Sequence, residues 1–336
     1  MKLFRKLFFP FVPIYYAVTW IRNILYDVGI KRSISFDIPV ICVGNLSVGG
    51  TGKTPMIEYL IELLKDNYKI ATLSRGYKRK SSGFQLANTN ASADLLGDEP
   101  FQFYSKYKKH IQVAVDSDRV HGIETLNSLQ YPPEIILLDD AFQHRKVKAG
   151  LNILLTTYSN VFTNDFLLPA GNLRESSSGA KRAQSIIVTK CPIDLSENEK
   201  IKIIKDINPK LYQSVFFSSI KYSDSLKSIE TTKNINDLSE FTLVTGIANA
   251  TPLVYYLKGK NLNFEHLNYK DHHEFTEQDI AKFNTKNLIV TTEKDFMRLQ
   301  AHQSLKGKLF YLPIQMGIDD SFKFDKLVKD YIALKR

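Results

Sequence analysis

The sequence predicts an α/β chain: a mainly parallel sheet with helices on both faces, followed by a second, smaller α/β domain. Three observations predict it. From residue 38 onward, short apolar runs alternate with helical patterns. One junction, "VGNLSVGGTGKTP", is a glycine-rich turn between a strand pattern and a helix pattern. After about residue 210 the alternation restarts. The 336 residues suffice for two domains of ordinary size, and 43% hydrophobic with 24% charged residues suits a folded globular chain.

The N-terminus reads "MKLFRKLFFPFVPIYYAVTWIRNILYDVG". Residues 7–21 are fifteen uncharged positions, preceded by Lys2, Arg5 and Lys6 and followed by Arg22. A spanning helix needs about 20 apolar residues, and Pro10 and Pro13 interrupt this run. A signal peptide shares the basic-then-apolar layout, but no A-x-A-like site follows. The expectation is that 1–36 forms a membrane-interface segment, with aromatics and Leu in lipid and Lys and Arg at anionic headgroups. Trp20, Tyr15 and Tyr16 suit that depth. The competing reading is a helix packed on the protein's own core.

"IPVICVG" is a buried strand leading into the glycine-rich turn. "TPMIEYLIELLKD" after it has apolar residues at 56, 57, 60, 61, 63 and 64, a helical period. "YKIATLS", "IQVAVD" and "EIILLDD" are further strands. Between the last two, "SDRVHGIETLNSL" is a helix capped by Ser117 or Asp118. "LNILLTT" and "AQSIIVTK" complete a core domain expected over 37–220. In the second domain, expected over 221–336, "FTLVTG", "NLNFEHLN", "NLIVTTEKD" and "KLFYLPI" read as strands and "ANATPLVYYLKG" as a helix. Open parallel sheets bind ligands at the carboxyl ends of their strands, so a cleft between the halves is expected.

The turn itself is a phosphate-binding loop of the P-loop NTPase type. Ser47, Val48, Gly49, Gly50, Thr51, Gly52, Lys53 and Thr54 form it, with Ser47 where the usual pattern has glycine. Glycines let successive N–H groups point at anionic oxygens, and the helix N-terminus adds its dipole. Lys53 would reach the β- and γ-phosphates of ATP, and the Thr54 hydroxyl would ligate Mg²⁺. Pro55 falls in the first helical turn, where its missing N–H costs little. "EIILLDD" ends in Asp139 and Asp140, adjacent acids pointing to opposite faces, so one of the two faces Mg²⁺. "AFQH" adds Gln143 and His144 at the same rim. The guanine motif N-K-x-D fails at "VTKCPID", where Pro192 stands in place of Asp, so ATP is favoured over GTP.

A formal charge of +10 favours an anionic partner. Cys42 and Cys191 lack metal-type spacing, which argues against a disulfide framework and a zinc site. Polar clusters recur at strand ends: "SRGYKRK", "LGDEP", "DSDR", "GNLRE", "KDHHEF" and "TTEKD". Phosphoryl transfer to an alcohol needs a base beside the hydroxyl. Chemistry alone leaves Asp98, Asp116, Asp271 and His272 open for that role.

In this order, "VGNLSVGGTGKTP", "SRGY", "GDEP", "LDDAFQH", "GNLRE", "VTKCP", "DHHEF" and "TTEKD" resemble the lipid A 4′-kinase (tetraacyldisaccharide 4′-kinase) family over most of the chain. Serine at the first loop position is a habit of that family. The resemblance implies a two-domain, membrane-associated kinase. It would move the ATP γ-phosphate to the 4′-hydroxyl of a tetraacylated glucosamine disaccharide 1-phosphate. It also implies roles: Asp98 as catalytic base, His272 as its paired histidine, and Lys53 and Asp139 in the catalytic set. Thr54, Asp139, Gln143 and Glu175 would surround the metal. Tyr77, Arg119, Asp140, His144 and Arg174 would face the substrate. His273 stands where the family usually has an aromatic. The expected partners are the lipid substrate and the membrane surface, at the cytoplasmic face of the inner membrane, with no nucleic acid and no obligate protein partner. The runner-up is a membrane-recruited P-loop ATPase switch or metallochaperone-like protein.

Overall fold

The computed structural model describes residues 6–271 and 273–335. A short 3-10 turn, Lys6–Phe11, leads into helix α1, Val12–Asp27, with Pro13 in its first turn. Strand β1 is Val40–Asn45, and helix α2, Lys53–Leu64, follows the phosphate loop. Then come β2 (Ile70–Ser74), β3 (Gln85–Leu86), α3 (Ala93–Leu96), α4 (Asp98–Tyr107), β4 (Ile111–Val115) and α5 (Arg119–Asn127). Asp118 caps α5, its carboxylate accepting from the Val120 N–H. Strands β5 (Ile135–Asp139), β6 (Leu151–Thr157) and β7 (Ser185–Thr189), helix α6 (Glu197–Ile207) and strand β8 (Ser214–Tyr222) complete the run.

These strands form a nine-stranded sheet in the order β15-β8-β7-β6-β1-β5-β2-β4-β3, where β15 is Ile314–Ile318. All neighbours are parallel except the two edges, β3 on β4 and β15 on β8. Each βαβ crossover puts helices on the faces, so the strands read as continuous apolar runs. Ile41 and Val43 face α2, Phe103 of α4 and the last helix, α10 (Ser321–Leu334). Val40 and Cys42 face the other way, toward Ile123 and Leu126 of α5 and Ile207 of α6.

The second sheet has the order β10-β9-β14-β13-β11-β12. Its members are β9 (Ser225–Lys227), β10 (Thr232–Asn234), β11 (Glu240–Thr245), β12 (Asn263–Asn268), β13 (Ile289–Thr291) and β14 (Leu309–Tyr311). Helices α7 (Thr251–Gly259), α8 (Glu277–Asn284) and α9 (Glu293–Leu299) cover it. The expected stretch "NLIVTTEKD" therefore divides: the strand stops at Thr291, Thr292 caps, and the acids open α9.

The second unit does not run to the end of the chain as expected. Residues 314–335 return to the first: β15 pairs with β8, and Phe324, Val328 and Ile332 of α10 are fully buried in the first core. The edge of β8 and the apolar face left open beside α2 take these elements, which no local pattern announces.

Helix α1 has no buried residue. Its polar stripe faces the protein: Tyr15 Oη donates to the Arg174 carbonyl (2.9 Å), Arg22 to the Gln143 carbonyl (2.6 Å), and Asn23 Nδ2 to Glu175 Oε2 (2.9 Å). Asp27 pairs with Arg145 and Lys181. Ile14, Val18 and Ile21 point outward, at 63%, 62% and 51% exposure, beside exposed Leu7, Phe9, Phe11 and Trp20. No helix among the described residues is long and apolar enough to cross a membrane.

Candidate active site

The site is built at the carboxyl ends of β1, β5 and β7. Gly52 caps α2 in a left-handed conformation, φ 90°, which a residue with a Cβ adopts only under strain. Gly44 is needed for a different reason: a Cβ there would stand 2.6 Å from Phe142 Cβ, so the Asp-pair turn packs directly on β1. Ser47 bridges Leu173 of "GNLRE", and the backbone contacts Val48 N–H to Asn172 (2.8 Å) and Arg174 N–H to Leu46 (2.7 Å) hold the loop's entrance. Thr51 and Gly50 are held from β7: Thr189 Oγ1 donates to the Thr51 carbonyl (2.8 Å) and Lys190 Nζ to the Gly50 carbonyl (2.6 Å). Lys53 and Thr54 open α2, so both side chains start at the positive end of its dipole.

Parallel pairing sets Asp139 level with Val43 on β1. Asp139 is buried; its Oδ2 lies 3.4 Å from Ser74 Oγ, while Oδ1 is buried with no hydrogen-bond partner. Burial, then the Asp140 carboxylate, pushes Asp139 up to about 7, against the pull of Lys53. Asp140 has φ 48° and turns the other way. It takes Arg174 Nη1 at 3.1 Å and Lys53 Nζ at 3.6 Å. Burial raises its pKa, but Lys53 and Arg174 outweigh that and hold it below the usual carboxylate range. The two adjacent acids thus carry different environments: one committed to cations, one holding an oxygen with nothing opposite it.

Gln143 and Glu175 lie in a different network. Gln143 Nε2 donates to the Asn45 carbonyl (2.8 Å) and to Glu175 Oε1 (3.0 Å). Glu175 is 2% exposed and also receives Arg182 (2.7 Å) and Asn23 of α1. This carboxylate is committed to tying α1 to the loop segments, an arrangement the metal-ligand expectation did not contain. Among the described residues, no group of three or more His, Cys, Asp or Glu is placed to hold a metal ion. A P-loop pair of one hydroxyl and one carboxylate needs no such cage.

Arg119 is buried at the start of α5, donating to the Asp116 and Ser117 carbonyls (3.3 and 3.1 Å). Burial, then Arg119, pushes the His144 imidazole down to about 4, so it is neutral at neutral pH. Tyr77 is 63% exposed, on the loop after β2. Asp98 opens α4, and its Oδ2 receives both Nε (3.1 Å) and Nη2 of Arg298, which lies on α9 of the second unit. His273 bonds Asp279 Oδ2 at 3.0 Å and stacks on Tyr269. His272 lies outside the described residues.

Sequence reasoning missed Lys190 and Arg298. Lys190 stands in "VTKCP", which serves as a failed guanine motif and as part of the resemblance, with no role of its own in either. Arg298 carries no local signal, because only the packing of α9 against α4 brings it to Asp98.

The family model of tetraacyldisaccharide-1-P 4′-kinase (LpxK) matches residues 4–333 of this chain. A tetraacyldisaccharide 4′-kinase of Flavobacterium psychrophilum is 54% identical, with 99% of this chain and 98% of that protein covered. One of Flavobacterium johnsoniae is 49% identical, at 99% and 98% coverage. The structure of LpxK from Aquifex aeolicus in complex with ATP superposes at a TM-score of 0.80, with 31% identity over 98% of this chain and 99% of that one.

Proposed function

The chain belongs to the tetraacyldisaccharide-1-P 4′-kinase family, and on that premise we propose how its residues carry out the transfer. It is an ATP-dependent kinase that phosphorylates the 4′-hydroxyl of a tetraacylated glucosamine disaccharide 1-phosphate in lipid A biosynthesis. The observation that carries the mechanism is the phosphate loop beside an acid pair, with Lys53 3.6 Å from Asp140.

ATP is the phosphoryl donor, and the loop N–H groups from Ser47 to Thr54 cradle its phosphates. Lys53 exchanges its contact with Asp140 for β- and γ-phosphate oxygens. Asp98 accepts the proton of the 4′-hydroxyl as that oxygen bonds to the γ-phosphorus and the bond to the β–γ bridging oxygen breaks. Arg298 orients the Asp98 carboxylate. The buried Asp139 Oδ1 without a hydrogen-bond partner suits a cation, so Thr54 and Asp139 would hold Mg²⁺. When bound, that ion neutralises charge on the phosphate oxygens. Gln143 and Glu175 act by fixing the loop and α1, and Arg119, Arg174, His144 and Tyr77 line the acceptor side. The outward apolar face of α1 sits in the membrane interface, on the cytoplasmic side of the inner membrane, where it meets an acylated substrate.

Radiolabelled ATP and the tetraacyl disaccharide 1-phosphate in mixed micelles test this reading. Wild type is expected to give the 4′-phosphate and ADP in equal amounts. Asp98→Asn is expected to lose roughly 10²–10⁴ in kcat while still binding ATP. Lys53→Ala is expected to be inactive yet folded. An Asp98→Asn variant turning over at the wild-type rate removes Asp98 as the base.

A further inference from the structure

Helix α4 belongs to both units. Phe103 is buried in the core of the first, and Phe101 packs on the core of the second. Its first residue is Asp98, and Lys106 lies about two turns further along. Lys106 Nζ stands 2.7 Å from Glu58 Oε2, in the middle of α2, and 2.9 Å from Glu293 Oε1, the first residue of α9. Gln102 of α4 donates to the other Glu58 oxygen at 2.9 Å. Glu58 and Glu293 are both nearly inaccessible, at 6% and 5%. Two carboxylates are thus buried around one ammonium. Burial, then Glu293, pushes Glu58 up to about 7, against the pull of Lys106.

Such a cluster is a poor source of stability, because apolar residues of the same volume usually serve a core at least as well. Its geometry offers something else. It joins three elements that each carry a site residue: α2 begins with Lys53, α4 with Asp98, and α9 carries Arg298. Together with the Asp98–Arg298 pair it clamps α4 to α9 near both ends.

We propose that Lys106 is a positioning residue for the phosphoryl transfer: by holding Glu58 and Glu293 on one ammonium, it fixes where Asp98 stands relative to Lys53. The proposal rests on Asp98 being the base. Displacing a base by about 1 Å costs on the order of 10²-fold in rate, so a clamp of this kind shows in kcat rather than in nucleotide affinity.

The experiment is a kinetic cycle on the full chain: wild type, Lys106→Met, Asp98→Asn and the double variant. The neutral triple variant Glu58→Gln/Lys106→Met/Glu293→Gln is assayed beside them and keeps the test open where Lys106→Met alone fails to fold, since it leaves no unpaired buried charge. Lys106→Met, or the triple variant, is expected to lose about 10-fold or more in kcat while KM for ATP stays within about twofold. Lys106→Arg recovers part of the loss. The double variant is expected to be no slower than Asp98→Asn alone, because Lys106 acts only through that carboxylate. If the two losses multiply, Lys106 has a general structural role and the proposal fails. It fails equally if the triple variant turns over at the wild-type rate while Asp98→Asn is slow, a result that leaves the base assignment standing. A fast Asp98→Asn enzyme overturns both.

Discussion

Single residues are separated here by their surroundings more than by their type. Asp139 and Asp140 are neighbours, yet one is pushed up to about 7 by burial and the other is held low by Lys53 and Arg174. Sequence reading left open which acid faces the metal. The unpartnered oxygen of Asp139 and the commitment of Asp140 to cations favour Asp139. Glu58 offers a prediction at this scale. Its carboxyl faces Glu293, Lys106 and Gln102, with Glu62, Tyr107 and Tyr311 nearby. Because its folded pKa is raised from 4.5 to about 7, the folded state keeps a proton that the unfolded chain has released. The resulting stability is present below about pH 4.5 and is lost as pH rises to about 7. Urea titrations across that window should show wild type losing stability relative to Glu58→Gln, by up to about 1.4 kcal/mol per pH unit for one proton. Parallel pH profiles for the two proteins count against the buried-carboxyl account.

Among the elements, α1 has an inverted pattern: polar residues dock on the protein and apolar ones face outward. A helix packed on its own core would do the reverse, so the arrangement favours the interfacial reading over the competing one. Replacing Ile14, Val18 and Ile21 together by Gln removes apolar surface without touching the docking stripe. Sedimentation with anionic-lipid vesicles should then fall several-fold, while the urea midpoint stays close to wild type. Unchanged sedimentation sinks the proposal that this face meets lipid. Helix α5 was the more readable element, because the Asp118 cap is local: its side-chain oxygen meets an N–H two residues on. The Thr292 cap of α9 is equally local but lies inside a stretch whose apolar run reads as strand.

Across the whole molecule, the chain ends where it is structurally central. β15 closes the edge beyond β8, and Phe324, Val328 and Ile332 fill the same core as α2. Removing residues 314–336 should therefore unfold the first unit, not trim the second. Burying those three side chains alone contributes on the order of 5–9 kcal/mol, comparable to the stability of an entire domain. The check is a denaturant melt with nucleotide binding. A truncated protein that melts cooperatively and binds ATP would contradict this placement. By itself the sequence determined the strand–loop–helix of the phosphate site, the acid pair at the carboxyl end of β5 and the apolar N-terminal run. Each is set by periodicity or by residues within a few positions of one another. Tertiary structure alone decided that Arg298 reaches Asp98, that Lys106 joins Glu58 to Glu293, that Glu175 serves α1, and that residues 314–335 return to the first sheet. Those contacts join residues from 48 to 291 positions apart, and only burial of shared apolar faces brings them together.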